Sequence, residues 1–287
     1  MNIKVLSYNI LMDYLADPNF IKVKKKYLNN KYRIVLIIKK LLSELNKNTI
    51  ICLQEIGDSQ MNILIKIFFK LDYYCVNVGE LGIFFPYKKF NIKSVNLGII
   101  SNLKYNLPKK FHELLISKRK NFIILELENK KTKKKITIVN THLLANPKYE
   151  QIKFLQIYVI LRELEKYKNI ILCGDLNSLP TSDIINYILH QKKSLKLKNI
   201  TTDLAFRAKP LANIYKPVHN HSLITTHTKN KLSGIFTEMI DYIFVSKNIK
   251  VINTSKLKDR SNYNNKNLAP NKHEPSDHFL ISTTLKI

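Results

Sequence analysis

Ile170-Ile171-Leu172-Cys173-Gly174-Asp175-Leu176-Asn177-Ser178-Leu179-Pro180 is an apolar run that stops on a charge. Its first four residues read as a buried strand. Gly174 and Pro180 then bracket a turn in which Asp175 and Asn177, two positions apart, share one side of an extended segment. Helical patterns flank the run over about 149–167 and 181–190. Strands with β-branched runs that interleave with helices predict an α/β fold of layered sheets. In such folds, ligands sit just past the ends of strands. Taken alone, Gly-Asp-x-Asn is equally a plain turn at the start of the next helix.

The same ending recurs along the chain. A strand over 2–10 stops at Ser7-Tyr8-Asn9, and a short buried strand over 49–53 delivers Leu53-Gln54-Glu55. A strand over 136–141 ends in Asn140-Thr141-His142, Asp241 opens the strand near 240–246, and Pro275-Ser276-Asp277-His278 precedes the last strand, 279–286. Between them, 31–47 reads as an amphipathic helix with Ile34, Ile37, Ile38, Leu41, Leu42 and Leu45 on one face. A second helix is expected near 59–71, and a Lys-rich hairpin tip over 129–135. A strand near 249–255 precedes a polar loop over 257–274, and a long irregular stretch is expected from about 199 to 235. With neither internal repeat nor linker in view, residues 1–287 are expected to form one domain.

Composition narrows the partners. The formal charge of +27 on 287 residues favours polyanions. Arg occurs at only five positions, however, against 43 Lys, and an AT-biased genome writes a Lys-rich, Arg-poor chain whatever its function. Cys52, Cys75 and Cys173 have no metal-ligand spacing and suit a reducing compartment. No apolar stretch reaches the roughly 18–20 residues a membrane span requires. Strand-like sequence begins at Ile3, which leaves no room for a targeting peptide. A soluble cytoplasmic protein is expected, with the nucleus as alternative.

Several of these polar endings suit phosphodiester chemistry. Glu55, after a buried strand, is a hard oxygen ligand of the kind Mg²⁺ takes together with water and substrate phosphate. Asp175 can handle a proton beside Asn177, a neutral donor. An unpaired Asp241 entering an apolar strand would be costly. A His278–Asp241 pair would satisfy that carboxylate and hold the imidazole in one tautomer. His142, at another strand end, is placed to donate to a phosphate oxygen.

Together these segments resemble the endonuclease/exonuclease/phosphatase superfamily over residues 3–287. Within it they are most similar to the poly(A)-deadenylase branch of carbon-catabolite-repressor-type nucleases with their angel, nocturnin and 2′-phosphodiesterase relatives. The branch cues are Ser7-Tyr8-Asn9-Ile10-Leu11, Cys52-Leu53-Gln54-Glu55, Gly82-Ile83-Phe84-Phe85 with Lys89-Phe90, and Asn146-Pro147-Lys148-Tyr149 with Lys153 and Gln156. Asp175-Leu176-Asn177-Ser178-Leu179-Pro180, Ile240-Asp241-Tyr242-Ile243-Phe244 and Pro275-Ser276-Asp277-His278 complete them.

The resemblance implies a four-layer α/β sandwich of two packed mixed sheets flanked by helices. It implies Glu55 as the main metal ligand for Mg²⁺, with Mn²⁺ as a substitute, and Asn9 and Asp277 close to the metal and phosphate. His142 and Asn177 become phosphate-oxygen donors, Asp175 and His278 the groups that position or deprotonate water, and Asp241 the His278 orienter. Pro147 and Phe236 stand where deadenylases hold an adenine. Glu238 stands where the family tends to have Gly, His227 where an aromatic is common, and 229–235 looks inserted. The leucine-rich repeats of the large deadenylases have no counterpart. The expected activity is a 3′-exoribonuclease on single-stranded A-rich RNA. The alternatives are a 2′,5′-oligoadenylate phosphodiesterase, a nocturnin-type nucleotide phosphatase and an inactive RNA-binding adaptor.

Overall fold

The computed structural model describes residues 1–103, 109–190, 211–215, 222–231 and 234–287, and the backbone of 196–197 and 200–201. About half of the irregular stretch expected over 199–235 lies outside the described residues, 232 and 233 of the expected insertion among them.

The main strands in chain order are β1 (Asn2–Asn9), β2 (Thr49–Gln54), β3 (Tyr73–Val78), β4 (Leu81–Pro86), β5 (Phe90–Ile99) and β6 (Asn121–Asn129). They continue with β7 (Lys135–His142), β8 (Ile170–Asp175), β9 (Leu211–Asn213), β10 (Asp241–Ser246), β11 (Lys250–Thr254) and β12 (Ile281–Lys286). The helices are α1 (Asn30–Ser43), α2 (Asp58–Phe69), α3 (Lys109–Ser117), α4 (Glu150–Glu163) and α5 (Asp183–His190). Two six-stranded mixed sheets result, ordered β11-β12-β1-β2-β4-β3 and β9-β10-β8-β7-β6-β5. Each has one parallel pair near its centre, β1 with β2 and β7 with β8. The expected α/β class, two packed mixed sheets with helices outside them, is the fold found.

Alternation along the strands builds the layers. Leu6, Ile51, Leu53 and Phe84 pack with Ile34, Ile37 and Leu41 of α1 and Leu64 and Phe68 of α2. Their neighbours Val5, Ile50, Cys52 and Ile83 turn the other way, into a core shared with Ile138, Leu172 and Ile243 of the second sheet. Leu155 and Val159 of α4 and Ile184 and Ile188 of α5 belong to that same core. No helix among the described residues is long and apolar enough to cross a membrane.

Several boundaries shift for local reasons. Asn29 caps α1, its side chain accepting from Tyr32 N at 3.1 Å. The helix closes at Ser43 rather than 47 because a turn begins there: Asn46 N donates to the Thr49 hydroxyl at 2.8 Å. β12 begins at Ile281 rather than 279, since Phe279 N donates outside the sheet, to Thr225 O at 2.7 Å. Gly174, at φ +156°, is required where β8 approaches β7: a Cβ there would lie 2.0 Å from Thr141 O.

Candidate active site

Register places the polar ends together. His142 at the end of β7 lies beside Asp175 at the end of β8, and Asp175 lies beside Asp241 at the start of β10. The facing sheet brings Asn9 at the end of β1, with Glu55 immediately after β2. The arrangement centres on one oxygen. Asp175 Oδ2 accepts from Asn9 Nδ2 at 3.1 Å and lies 3.6 Å from Nε2 of both His142 and His278. Asp175 Oδ1 accepts from Asn177 N at 2.9 Å.

Asn9 is oriented by its own loop. Leu11 N, which can only donate, lies 3.0 Å from Asn9 Oδ1, so Nδ2 faces the carboxylates. It donates to Glu55 Oε1 at 3.0 Å as well as to Asp175. Asn9 therefore holds two carboxylates side by side as a donor, and its oxygen is engaged by backbone. Glu55 has φ +52°, a left-handed conformation that a branched-free but non-glycine residue adopts at a cost of roughly 1–2 kcal/mol. Such strain gathers at functional sites.

His278 Nδ1 and Asp241 Oδ2 are 2.8 Å apart and both residues are buried. Burial alone would lower the His278 pKa, but the carboxylates of Asp241, Asp175 and Asp277 hold it well above its ordinary value. Nδ1 of the imidazole is engaged by Asp241, and Nε2 is turned towards Asp175 Oδ2. Burial and the neighbouring Asp241 push the Asp175 carboxyl up, against the opposing pull of His278, His142 and the Asn177 amide. Asp241 Oδ1 is buried without a hydrogen-bond partner among the described residues.

Two partners of His142 escape a reading of the sequence. Its Nδ1 lies 3.1 Å from Glu80 Oε1, and Lys120 Nζ lies 2.7 Å from that same oxygen. Glu80 keeps Nε2 of His142 turned inward. Burial works to raise the Glu80 pKa, but His142 and Lys120 bring it down to about 2. Glu80 follows Gly79 at a hairpin turn, where a charge ordinarily signals only solvent.

Asn177 sits at φ +47° and commits one amide hydrogen to Leu143 O at 3.0 Å. Its other amide hydrogen remains for a ligand. Buried Lys153 holds this turn by donating to Asn177 O at 2.7 Å, and Gln156 Oε1 accepts from Leu144 N at 3.2 Å. Asp277 is half-buried. Its backbone oxygen accepts from Thr226 Oγ1 at 2.7 Å, and burial pushes its carboxyl up against the pull of His278.

Arg33 was likewise missed. It lies fully buried on α1, where its place in the helix stripe reads as a solvated residue between apolar ones. Its Nη2 donates to Ile10 O and Leu11 O, and its Nε to Pro275 O at 2.7 Å, tying the Asn9 loop to the Asp277 loop. Arg33→Met leaves the buried carbonyls of Ile10 and Pro275 unmatched at roughly 1–3 kcal/mol each, while Leu11 O keeps Gln60 Nε2 at 3.4 Å. At about 2–4 °C per kcal/mol for larger domains, the melting midpoint is expected to fall by about 4 °C or more. An unchanged thermal unfolding curve would show that Arg33 does not brace these loops.

Pro147 is exposed at the start of a short 3-10 turn, Pro147–Tyr149, and Phe236 is half-buried on the hairpin of Thr226–Asn230 with Gly234–Glu238. No hydrogen bond or ring contact among the described residues joins them to the cluster. The two departures from the family pattern have structural partners. Glu238 pairs with Arg260 at 2.7 Å, and buried His227 contacts Thr237 Oγ1 at 2.7 Å and Asn264 O at 3.0 Å.

Two groups of side chains bring ligand atoms within 4.8 Å of one another, Glu55-His142-Asp175 and Asp175-Asp241-His278. The first contains two carboxylates, one of them partly open to solvent, and so fits a hard divalent cation that keeps water and substrate in its remaining positions. Asp277 belongs to neither group.

The sequence profile of the Endonuclease/Exonuclease/phosphatase family matches residues 6–278. A probable CCR4-Not complex 3′-5′-exoribonuclease subunit Ccr4 of Vairimorpha ceranae is 27% identical over 98% of this chain, which spans 63% of that relative's length. RNA exonuclease NGL1 of Saccharomyces cerevisiae is 26% identical over 99% of this chain and 92% of its own. Among solved structures, ANGEL2, described as a 2′,3′-cyclic phosphatase, superposes with a TM-score of 0.80 at 22% identity, over 99% of this chain and 95% of its own. At that identity the likeness bears on the fold.

Proposed function

The chain belongs to the Endonuclease/Exonuclease/phosphatase family, and on that premise we propose that residues 1–287 form one metal-dependent phosphodiesterase unit, a 3′-exoribonuclease that releases nucleoside 5′-monophosphates from single-stranded A-rich RNA. The observation that carries this reading is the convergence of Asn9, His142 and His278 on Asp175 Oδ2, with Glu55 alongside.

Each residue then has a stated task. Glu55 would hold a hard divalent ion, Mg²⁺ or Mn²⁺, which would supply positive charge to the phosphate. Asp175, steadied by Asn9 and the Asn177 amide, orients the attacking water in line and takes its proton as the new P–O bond forms; the P–O3′ bond breaks, and the departing O3′ is protonated from solvent. His278 keeps its proton at Nε2 and offers it to the phosphate as charge accumulates. Asp241 holds the His278 tautomer. His142 Nε2–H, aimed inward by Glu80, and the second amide hydrogen of Asn177 donate to non-bridging oxygens. Asp277 lines the phosphate site beside His278. RNA is the proposed partner, and the proposed location is the cytoplasm, with the nucleus as alternative.

Purified protein with Mg²⁺, incubated with 3′,5′-linked A, U and C oligomers and with 2′,5′-linked A oligomers, tests the reading. Stepwise shortening of the 3′,5′ strands from the 3′ end supports it. Cleavage confined to 2′,5′ linkages, or removal of phosphate from mononucleotides alone, would replace it.

Phe236 and Pro147 are proposed to flank the terminal base. Stacking of a base on an aromatic ring contributes roughly 1–3 kcal/mol. Phe236→Ala is therefore expected to lower kcat/KM for oligo(A) about 5- to 150-fold while oligo(U) falls less. Parallel losses on both substrates would make Phe236 a packing residue.

A further inference from the structure

Away from the cluster, a cavity of about 580 Å³ opens between residues 22–27 and 265–273. Its wall includes Lys22, Lys24, Lys266, Lys272, His273 and the ring of Tyr27, and it carries no carboxylate. All four lysines are exposed. Lys22 is partly engaged, donating to Pro18 O at 3.1 Å and Asn19 O at 2.9 Å. Lys24, Lys266 and Lys272 make no ion pair among the described residues. Some lysines elsewhere are matched, as in Lys88–Asp72, Lys120–Glu80 and Lys4–Glu44. Unmatched cations on a concave wall repel one another, and a bound polyanion relieves that repulsion.

The cavity is also tied to the cluster by chain and by backbone hydrogen bonds. One wall, Asn271-Lys272-His273, runs straight into Glu274-Pro275-Ser276-Asp277-His278, so the five steps of chain from His273 to His278 span at most about 18 Å. The other wall is bound to the Phe236 hairpin: Lys22 N donates to Lys229 O at 2.7 Å, and Lys231 N to Phe20 O at 2.9 Å. Ala269 N donates to His227 O of the same hairpin at 2.9 Å.

We propose that this cavity is a second substrate subsite, which holds the phosphodiester backbone of a single strand on the 5′ side of the linkage being cut. It rests on the exoribonuclease reading, because a 3′ end in the cluster leaves only 5′ nucleotides to extend beyond it. Lys24, Lys266 and Lys272 contact phosphates, and Tyr27, half-buried with Lys26 Nζ over one side of its ring at 5.1 Å from the centroid, offers its other face to a base.

The test compares wild type with the triple variant Lys24→Gln, Lys266→Gln, Lys272→Gln. The control is a second triple, Lys130→Gln, Lys131→Gln, Lys133→Gln, in the turn between β6 and β7. Binding of a long single-stranded oligo(A) is titrated in EDTA at several salt concentrations, and turnover of a dinucleotide is measured with Mg²⁺. Each phosphate contact on a single strand adds about 0.7 to the slope of log K against log salt. The cavity triple should therefore lose about 2 from that slope, so that between 50 and 200 mM salt wild-type affinity falls about 20-fold further than the variant's. Dinucleotide turnover should be unchanged in both triples, and the control should keep the wild-type slope. Equal losses in the two triples, or no loss in the cavity triple, would overturn the subsite while leaving a working nuclease. Wild type that neither binds nor cuts RNA would overturn the exoribonuclease reading itself.

Discussion

Glu55→Gln is expected to lower hydrolysis by about 10³-fold or more without unfolding the protein. Charge stabilisation by a bound metal contributes several kcal/mol, and each 1.36 kcal/mol is a factor of ten in rate. Gln fills the same space and keeps an oxygen to accept from Asn9 Nδ2, now 3.0 Å from Glu55 Oε1, but it loses the charge that holds a hard cation. EDTA should reduce wild type to the level of the variant, and excess Mg²⁺ should restore wild type only. A thermal melt checks that the two proteins are folded alike. Full activity in EDTA would remove the metal from the mechanism, and with it the role given to Glu55.

The second large effect is expected at His278 and Asp241. The pair is short, buried and charge-assisted, with His278 Nδ1 2.8 Å from Asp241 Oδ2. His278→Ala should lower kcat about 10²- to 10⁴-fold, the range over which acid–base and preorganised-donor roles contribute. Asp241→Asn removes the charge that keeps His278 protonated, and it leaves a side chain that can present an N–H to Nδ1 and force the other tautomer. Turnover should drop while binding of oligo(A) in EDTA persists. Since the two act as one unit, the double variant should be scarcely slower than His278→Ala alone. Losses that multiply would mean independent roles, and binding lost together with turnover would mean a structural pair.

How far the site was legible depended on what each residue's meaning required. Asn9, Glu55, His142, Asp175, Asp241 and His278 could be picked out because each stands at the polar end of an apolar run, a pattern that lies within a few neighbouring residues. The shared site could be anticipated from the fold class, because strand ends of an α/β sheet meet on one edge. Glu80 and Arg33 could not. Glu80 follows a turn and looks solvated until His142, 62 residues away, is seen beside it. Arg33 looks like a break in a helix stripe until Pro275, 242 residues on, accepts its hydrogen bond.

Even where the residue was picked out, its orientation was not. Asn9, expected near the metal, has its oxygen turned to Leu11 N and its amide to the carboxylates. A side-chain amide carries donor and acceptor on one carbon, and only the neighbouring backbone selects between them.

The sequence by itself determined the α/β class, the layered sheets and which polar residues end their strands. Those depend on hydrophobic period and on where a charge interrupts it, and both are local properties of the chain. Tertiary structure alone decided that Asp175 Oδ2 is the meeting point, that Glu80 aims His142, that Arg33 braces two loops and that a lysine-lined cavity stands beside the Asp277 loop. A buried polar group has lost its water, so its role is set by whichever partner replaces that water, and these partners come from distant parts of the chain.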